Sequence, residues 1–275
     1  MTLSFDEIAF NQAPDSQNQI HSDDMAQRYG FRGGLVPGVT LSAYLTQPGV
    51  VQWGLSFLQR GQASIKVLRP IYHAERISVS VNLTSETSYE AELINSEGEV
   101  RAIAKVSLPE QADLPALPHR KSLPVMADNY QPAIATPEVF ENLQHNGTLE
   151  TRYLWSKRHA MASYFDTPKS MPALLTFGDA PAPNRGLANT SFILGCANWV
   201  FASNAGMNPW VHLQTDHQLF AEIKNETEVA AQMSVDALFE KKGHQFADIW
   251  VNLFNAETSE PLARIWQRAI YRLRA

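Results

Sequence analysis

From residue 62 onward, apolar side chains fall on every second position. Ile65 and Val67 open the pattern, Ile77, Val79, Val81 and Leu83 continue it, and Ala102, Ala104 and Val106 close it. Asn95-Ser96-Glu97-Gly98 supplies a turn between runs. Period two in short runs predicts antiparallel strands with one wet face. Upstream the spacing changes. Residues 22–29 predict a short helix, with Ser22, Asp23 and Asp24 suited to its first turn. Gly30, Gly33, Gly34, Pro37 and Gly38 then mark a tight loop, and Val39, Leu41, Ala43, Tyr44 and Leu45 predict a buried helix. Proline has no N–H to donate, so this helix is expected to kink or end at Pro48-Gly49, with 50–58 continuing in the same direction.

The second half repeats this order. Residues 187–202 are apolar nearly all round, as in a helix sunk in a core. Strand-like stretches follow at 211–220, 229–239, 246–254 and 263–273. The turn at 255–260 stands where 95–98 stands in the first half, and Leu93-Ile94-Asn95 matches Leu253-Phe254-Asn255. Helix followed by a four-strand meander, twice over, reads as an internal duplication. Six of the sixteen prolines lie between Pro109 and Pro137. That density excludes a regular helix or inner strand and predicts an extended linker, with Leu114, Leu117 and Leu123 free to pack against the body. The expected division is a first unit over 1–108, the linker over 109–137 and a second unit over 138–275. The class is α+β. Each antiparallel sheet lays its apolar face on its own central helix, and the two sheets pair edge to edge as a pseudo-dimer.

Composition narrows the partners. Among 275 residues, 44% are apolar and 18% charged, which is ordinary for a folded chain. Lysine and arginine total 22 against 28 acids, a net charge of −6, so nucleic acid is not expected. The single cysteine, Cys196, reads as a core thiol in a reducing, cytoplasmic setting. Residues 1–10 carry Asp6 and Glu7 and no basic start, so no signal peptide is expected, nor any membrane span.

The stretch from Asn18 to Thr40 carries the chemistry. Asn18, Ile20, His21, Asp23, Ala26, Gly30, Phe31, Val36 and Gly38, with Arg69-Pro70-Ile71-Tyr72 entering the strands, form a pattern. It resembles the MaoC-like dehydratases and (R)-specific enoyl-CoA hydratases, specifically over 15–46 and diffusely beyond. The resemblance implies two hot-dog repeats, one working and one degenerate. It implies a lyase of fatty acid metabolism that interconverts enoyl and (R)-3-hydroxyacyl thioesters of coenzyme A or an acyl carrier, with no cofactor and no metal. His21 would act as base or acid, Asn18 would hold water or orient the histidine, Gly38 would offer an N–H to the thioester oxygen, and Thr46 would place a hydroxyl nearby. Hydration needs such a set: a base for water, an acid for Cα and donors for the enolate-like oxygen. The family's carboxylate lies five residues before the histidine, where this chain has Ser16; Asp15 lies six before, and Gln19 replaces the family's proline. Either the loop bulges and Asp15 takes the role, or the carboxylate is gone.

Other readings of the same residues stay open. His21 and Asn18 also suit a plain loop closure, and Asp23 suits a helix first turn. No Lys-Ser/Thr follows the glycines, which excludes a Walker-type phosphate loop. On a regular strand His212 and Asp216 share a face and His217 takes the other, which argues against a three-ligand metal site. Lys241-Lys242-Gly243-His244 reads as a hairpin turn whose cations face solvent or touch a nucleotide phosphate. Trp53, Trp199, Trp210 and Trp250 read as core or tunnel wall. Two rival functions remain. A hot-dog thioesterase would want an acid on a central helix, and neither 39–58 nor 187–202 has one. A non-catalytic acyl-binding module would explain a displaced carboxylate. A further homodimer is compatible with either.

Overall fold

The computed structural model describes residues 3–178 and 185–274. Residues 179–184, inside the 176–189 stretch that lacks an Asn-x-x-His in the second repeat, lie outside the described residues.

The first unit holds β1 (Phe5–Ile8), α1 (Asp23–Arg28), α2 (Gly38–Trp53), α3 (Leu55–Arg60), β2 (Gln62–Val67), β3 (Arg76–Ser85), β4 (Ser88–Asn95) and β5 (Val100–Ser107). The second holds α4 (Pro137–Asn146), β6 (Thr151–Trp155), α5 (Thr190–Asn204), β7 (Val211–Leu219), β8 (Thr227–Lys241), β9 (His244–Asn255) and β10 (Pro261–Arg272). All ten strands form one sheet in the order β1-β3-β4-β5-β2-β7-β10-β9-β8-β6. Read inward from each edge, the two halves have the same order, so the duplication is visible in the topology. The expected edge-to-edge pairing is the β2–β7 seam, antiparallel from Gln62 opposite Gln218 to Lys66 opposite Gln214.

Each half departs from a simple meander. β2 lies beside β5, not β3. The chain crosses its own sheet between β2 and β3, which leaves β2 at the inner edge where it can pair with β7. The chain also uses β1, α4 and β6, which the alternation did not announce.

Most of the alternating residues face their helices as expected; Leu83, at the far end of β3, does not and is half exposed. Ile65, Ile77, Val79, Leu93, Ala102 and Ala104 pack with Leu41, Tyr44 and Leu45 of α2, while Val229, Ala247, Val251 and Ile265 pack with Phe192, Ala197 and Val200 of α5. Both helices lack a polar face because each is covered on all sides. They meet each other where the Thr46 and Thr190 hydroxyls lie 2.9 Å apart.

Of the two expected outcomes at Pro48, an end is not seen: α2 runs on to Trp53. The Tyr89 hydroxyl from β4 enters the helix next to the proline. It donates to the Leu45 carbonyl at 2.9 Å and accepts from the Gly49 N–H at 3.0 Å, bridging the rung beside the proline. The Pro-rich stretch runs mostly without regular structure: one 3-10 turn at Gln111–Asp113, single bridges from Val125 to Glu150 and Ile134 to Gly206, and Pro137 as the first residue of α4. Leu117 is half exposed, not packed inward, and Trp250 is likewise exposed on the sheet.

Candidate active site

The turn that carries His21 is tied down from three directions. Its backbone carbonyl accepts from Asn11 Nδ2 at 3.0 Å. Leu35 N–H donates to the Ile20 carbonyl at 3.1 Å, drawing the glycine loop across the back of the turn. The Asp23 carboxylate accepts from Gly34 N–H at 2.7 Å, so Asp23 is a loop fastener. Gly34 has no substitute here: a Cβ would stand 2.2 Å from the His21 carbonyl oxygen.

This loop fixes the imidazole. His21 Nδ1 lies 2.7 Å from the Leu35 carbonyl, which can only accept, so Nδ1 carries the proton and Nε2 keeps its lone pair. Burial pushes the His21 pKa below its ordinary value, against the smaller opposing effect of the Leu35 carbonyl. His21 is therefore a neutral base at physiological pH.

Gly38 opens the sixteen-residue helix α2. Thr40 N–H and Leu41 N–H both donate to Pro37, while Gly38 N–H and Val39 N–H have no partner among the described residues. Two free amides at the positive end of a helix dipole suit a developing negative charge. The space over Gly38 is filled by His212: a Cβ on residue 38 would sit 3.0 Å from His212 Nδ1.

That contact overturns the strand-face reading of His212. β7 carries an extra residue, Leu213, between Gln214 opposite Arg268 and His212 opposite Ala269. A bulge of one residue changes which face the following side chains take. His212 consequently joins Thr215 and His217 on the buried side. Its Nε2 bonds the Thr215 hydroxyl and its Nδ1 is unpartnered. Burial lowers the pKa of His212 to about 4.

His21, Gly38, Leu41, Asn198, Trp210 and His212 line a crevice of about 40 Å³. Asn18, His21, Asn198 and Trp210 also line an adjoining cleft of about 610 Å³, with Asp15 on its wall. Three polar atoms of the crevice residues are buried without a partner among the described residues: Asn198 Oδ1, Trp210 Nε1 and His212 Nδ1. All belong to the second repeat. Unsatisfied buried polar atoms gathered in one crevice call for water or a ligand. Asn198 had one sequence signal, an amide in the apolar middle of α5 between Phe192 and Ala202; Trp210 had none beyond being aromatic.

The remaining sequence candidates separate. Asn18 spends its amide on the other repeat: Nδ2 donates to the Trp210 carbonyl at 3.0 Å and Oδ1 accepts from Trp210 N–H at 3.1 Å. It is a strut, not a water holder. Asp15 is exposed and makes no hydrogen bond to His21 among the described residues. Thr46 does not line the crevice; it is buried between α2 and α5 with its hydroxyl near the Ser42 carbonyl and Thr190. Cys196 is fully buried and burial pushes its thiol well up, so it is inert. Among the described residues no group of three histidines, cysteines or acids is placed to hold a metal. No helix is long and apolar enough to cross a membrane. A cleft of about 830 Å³ runs along the seam at Gln62, Asp216 and Gln218 and contains neither His21 nor Gly38.

No family model matches the sequence, and no curated protein matches it. Solved structures do. A conserved hypothetical protein from Mycobacterium tuberculosis, described as having a double hot-dog fold, superposes with a TM-score of 0.58 at 11% identity, covering 98% of this chain and 96% of its own. The chain is a double hot-dog. A tesB protein of Mycobacterium avium subspecies paratuberculosis superposes with a TM-score of 0.54 at 11% identity, covering 98% of this chain and 93% of its own. At these identities the likeness establishes fold alone. Within that fold, the crevice sits where the two repeats meet, with base and amides from the first and the orphaned polar atoms from the second.

Proposed function

We propose that this double hot-dog chain is an acyl-thioester hydratase/dehydratase, adding water to enoyl thioesters and removing it from 3-hydroxyacyl thioesters. The observation that carries this reading is the His21 imidazole, held by the Leu35 carbonyl so that a basic Nε2 is left free in a crevice beside unpaired helix amides.

In the hydration direction, the thioester oxygen takes hydrogen bonds from Gly38 N–H and Val39 N–H. We assign the His212 tautomer with the Thr215 hydroxyl donating to Nε2, which leaves Nδ1–H as a further donor toward the crevice. His21 Nε2 removes a proton from water as the oxygen bonds to Cβ, and electrons move through Cα to the thioester oxygen. The resulting imidazolium returns that proton to Cα. Water supplies both added groups, the hydroxyl on Cβ and the hydrogen on Cα, and His21 ends as it began, so one imidazole does the work for which the resemblance paired a histidine with a carboxylate. Asp15 stands on the wall of the cleft and contributes negative charge near the entrance. The cleft of about 610 Å³, with Met161, Trp199 and Met207 in its wall, suits an acyl chain.

The test is hydration of crotonyl-CoA and longer enoyl-CoA by wild type and His21→Gln. Loss of a general base lowers the rate by about 10²–10⁴-fold. Because burial lowers the His21 pKa, the acid limb of kcat/KM is expected below the ordinary histidine value of about 6.5. Free thiol released in place of hydrated product makes the protein a thioesterase, a class that would want an acid on a central helix, and α2 and α5 carry none. Tight acyl-CoA binding without turnover makes it a binding module.

A further inference from the structure

A second cavity lies against the seam. It is about 570 Å³ and is lined by Lys66, Lys241, Lys242, His244 and Arg268, with no acidic residue in its wall. Such a concentration of positive charge runs against the net −6 of the chain. Asp248 lies beneath and pairs with Arg268 through two bonds of 2.7 and 2.6 Å. Glu240, on the same hairpin, accepts from Gln245. Lys66, Lys241 and Lys242 are exposed and form no ion pair among the described residues. The wall also has an apolar part: Leu213, the half-exposed Leu68, and Phe239 stacked on Phe246 with ring centroids 4.9 Å apart.

The hairpin tip strengthens the case. Lys242 and Gly243 form a two-residue turn between Lys241 and His244, with φ of 55° and 78°. Such turns favour Asn-Gly, so the turn itself does not call for a lysine at 242. His244 Nδ1 accepts from the Arg274 backbone N–H at 3.1 Å, which leaves the proton on Nε2 as a donor.

The cavity adjoins the crevice. β2 and β7 stay paired only as far as Lys66 opposite Gln214. Beyond that point Leu213 bulges, Val67 keeps only its β5 partner, and Val67 lines both the basic cavity and the His21 crevice. The seam parts between a concentration of cations and the proposed base.

We propose that the basic cavity binds the phosphates of a nucleotide-tailed thiol carrier, so that the substrate arrives on a coenzyme A-type small molecule rather than on a carrier protein. This rests on reading the His21 crevice as an acyl-thioester site. Lys66, Lys241 and Lys242 meet the phosphates, and the apolar wall takes the base. The volume is in the range of about 300–1,000 Å³ that small-molecule sites occupy. A concave cavity with an aromatic wall fits a nucleotide better than a protein surface.

The experiment is calorimetric titration of the full chain with adenosine 3′,5′-bisphosphate. Wild type is expected to bind it, more weakly as salt rises, and Lys241→Glu and Lys242→Gly are each expected to weaken binding by about tenfold or more. Glycine suits the backbone at 242, so lost binding in that variant is not lost folding. Absence of binding by wild type at millimolar probe overturns the proposal, and so does equal binding by wild type and both variants. Turnover of carrier-protein enoyl thioesters without probe binding overturns it while leaving the reaction intact. Probe binding without turnover of any enoyl thioester upholds the cavity and removes the reaction.

Discussion

His217 makes the stability of this protein sensitive to acid, and replacing it should remove a calculable part of that sensitivity. It lies on the buried face of β7 between Ala63 of β2 and Ile265 of β10, 5% exposed, with neither ring nitrogen partnered. Burial lowers its pKa from 6.5 to about 4. The unfolded chain therefore binds a proton there more readily than the folded one, and stability is lost as pH falls from the unfolded value through the folded one. At about 1.36 kcal/mol per pH unit, the full difference is about 3 kcal/mol, of which about 2 kcal/mol is lost by pH 5. His212, also lowered to about 4, loses a similar amount. Together they remove about 4 kcal/mol between pH 7 and pH 5, a large share of a total of about 5–15 kcal/mol. The measurement is urea unfolding of wild type and His217→Leu at both pH values. Leucine has no titration, so the variant should lose about 2 kcal/mol less than wild type over that interval. Equal losses in the two proteins would refute the claim that His217 is buried and neutral.

Two further substitutions probe the site and its surroundings. Gly38→Ala places a methyl 3.0 Å from His212 Nδ1; such overpacking costs about 1–3 kcal/mol, and thermal melts should show that modest loss while enoyl-CoA turnover falls by at least about tenfold. Thr46→Val removes a hydroxyl that meets Thr190 between the central helices; denaturant titration should show about 1–3 kcal/mol of destabilisation, with kcat and KM on crotonyl-CoA unchanged, because the residue is remote from the crevice.

The sequence reveals the strands because alternation is local: each of Ile77, Val79, Ala102 and Ala104 needs only its neighbours to declare a face. The features it hides are set by distant partners. Whether α2 survives Pro48 depends on Tyr89, forty residues away, and β2 finds its partner in β5, from Gln62 opposite Ser107 to Val67 opposite Ala102, rather than in β3, which follows it in the chain. The resemblance implied a Thr46 hydroxyl near the site; eight residues after Gly38, a helix of 3.6 per turn stands roughly 80° past the starting face, and Thr46 turns toward Thr190. His212 is placed by an irregularity of its own strand. The run Val211-His212-Leu213-Gln214-Thr215 has no glycine to announce a bulge, yet one extra residue places His212 over Gly38. The His21 loop was legible because its reasons are short-range: Gly34 admits the His21 carbonyl, and Asp23 accepts from Gly34.

The second repeat does more than complete the sheet. Asn18 lies three residues before His21, and both ends of its amide are bonded to the backbone of Trp210, two residues before His212. The turn that aims the base is thus fastened to the strand entry that aims the second imidazole. The Leu213 bulge then has two consequences: it turns His212 inward over the helix amides, and it parts the seam where Val67 stands between the crevice and the cations. A regular β7 would put Asp216, not Thr215 and His217, on the face of His212 and would continue the seam past Lys66. The degenerate second repeat expected from the sequence is therefore compatible with its strand irregularity, because that irregularity shapes the candidate site beside the first repeat's His21.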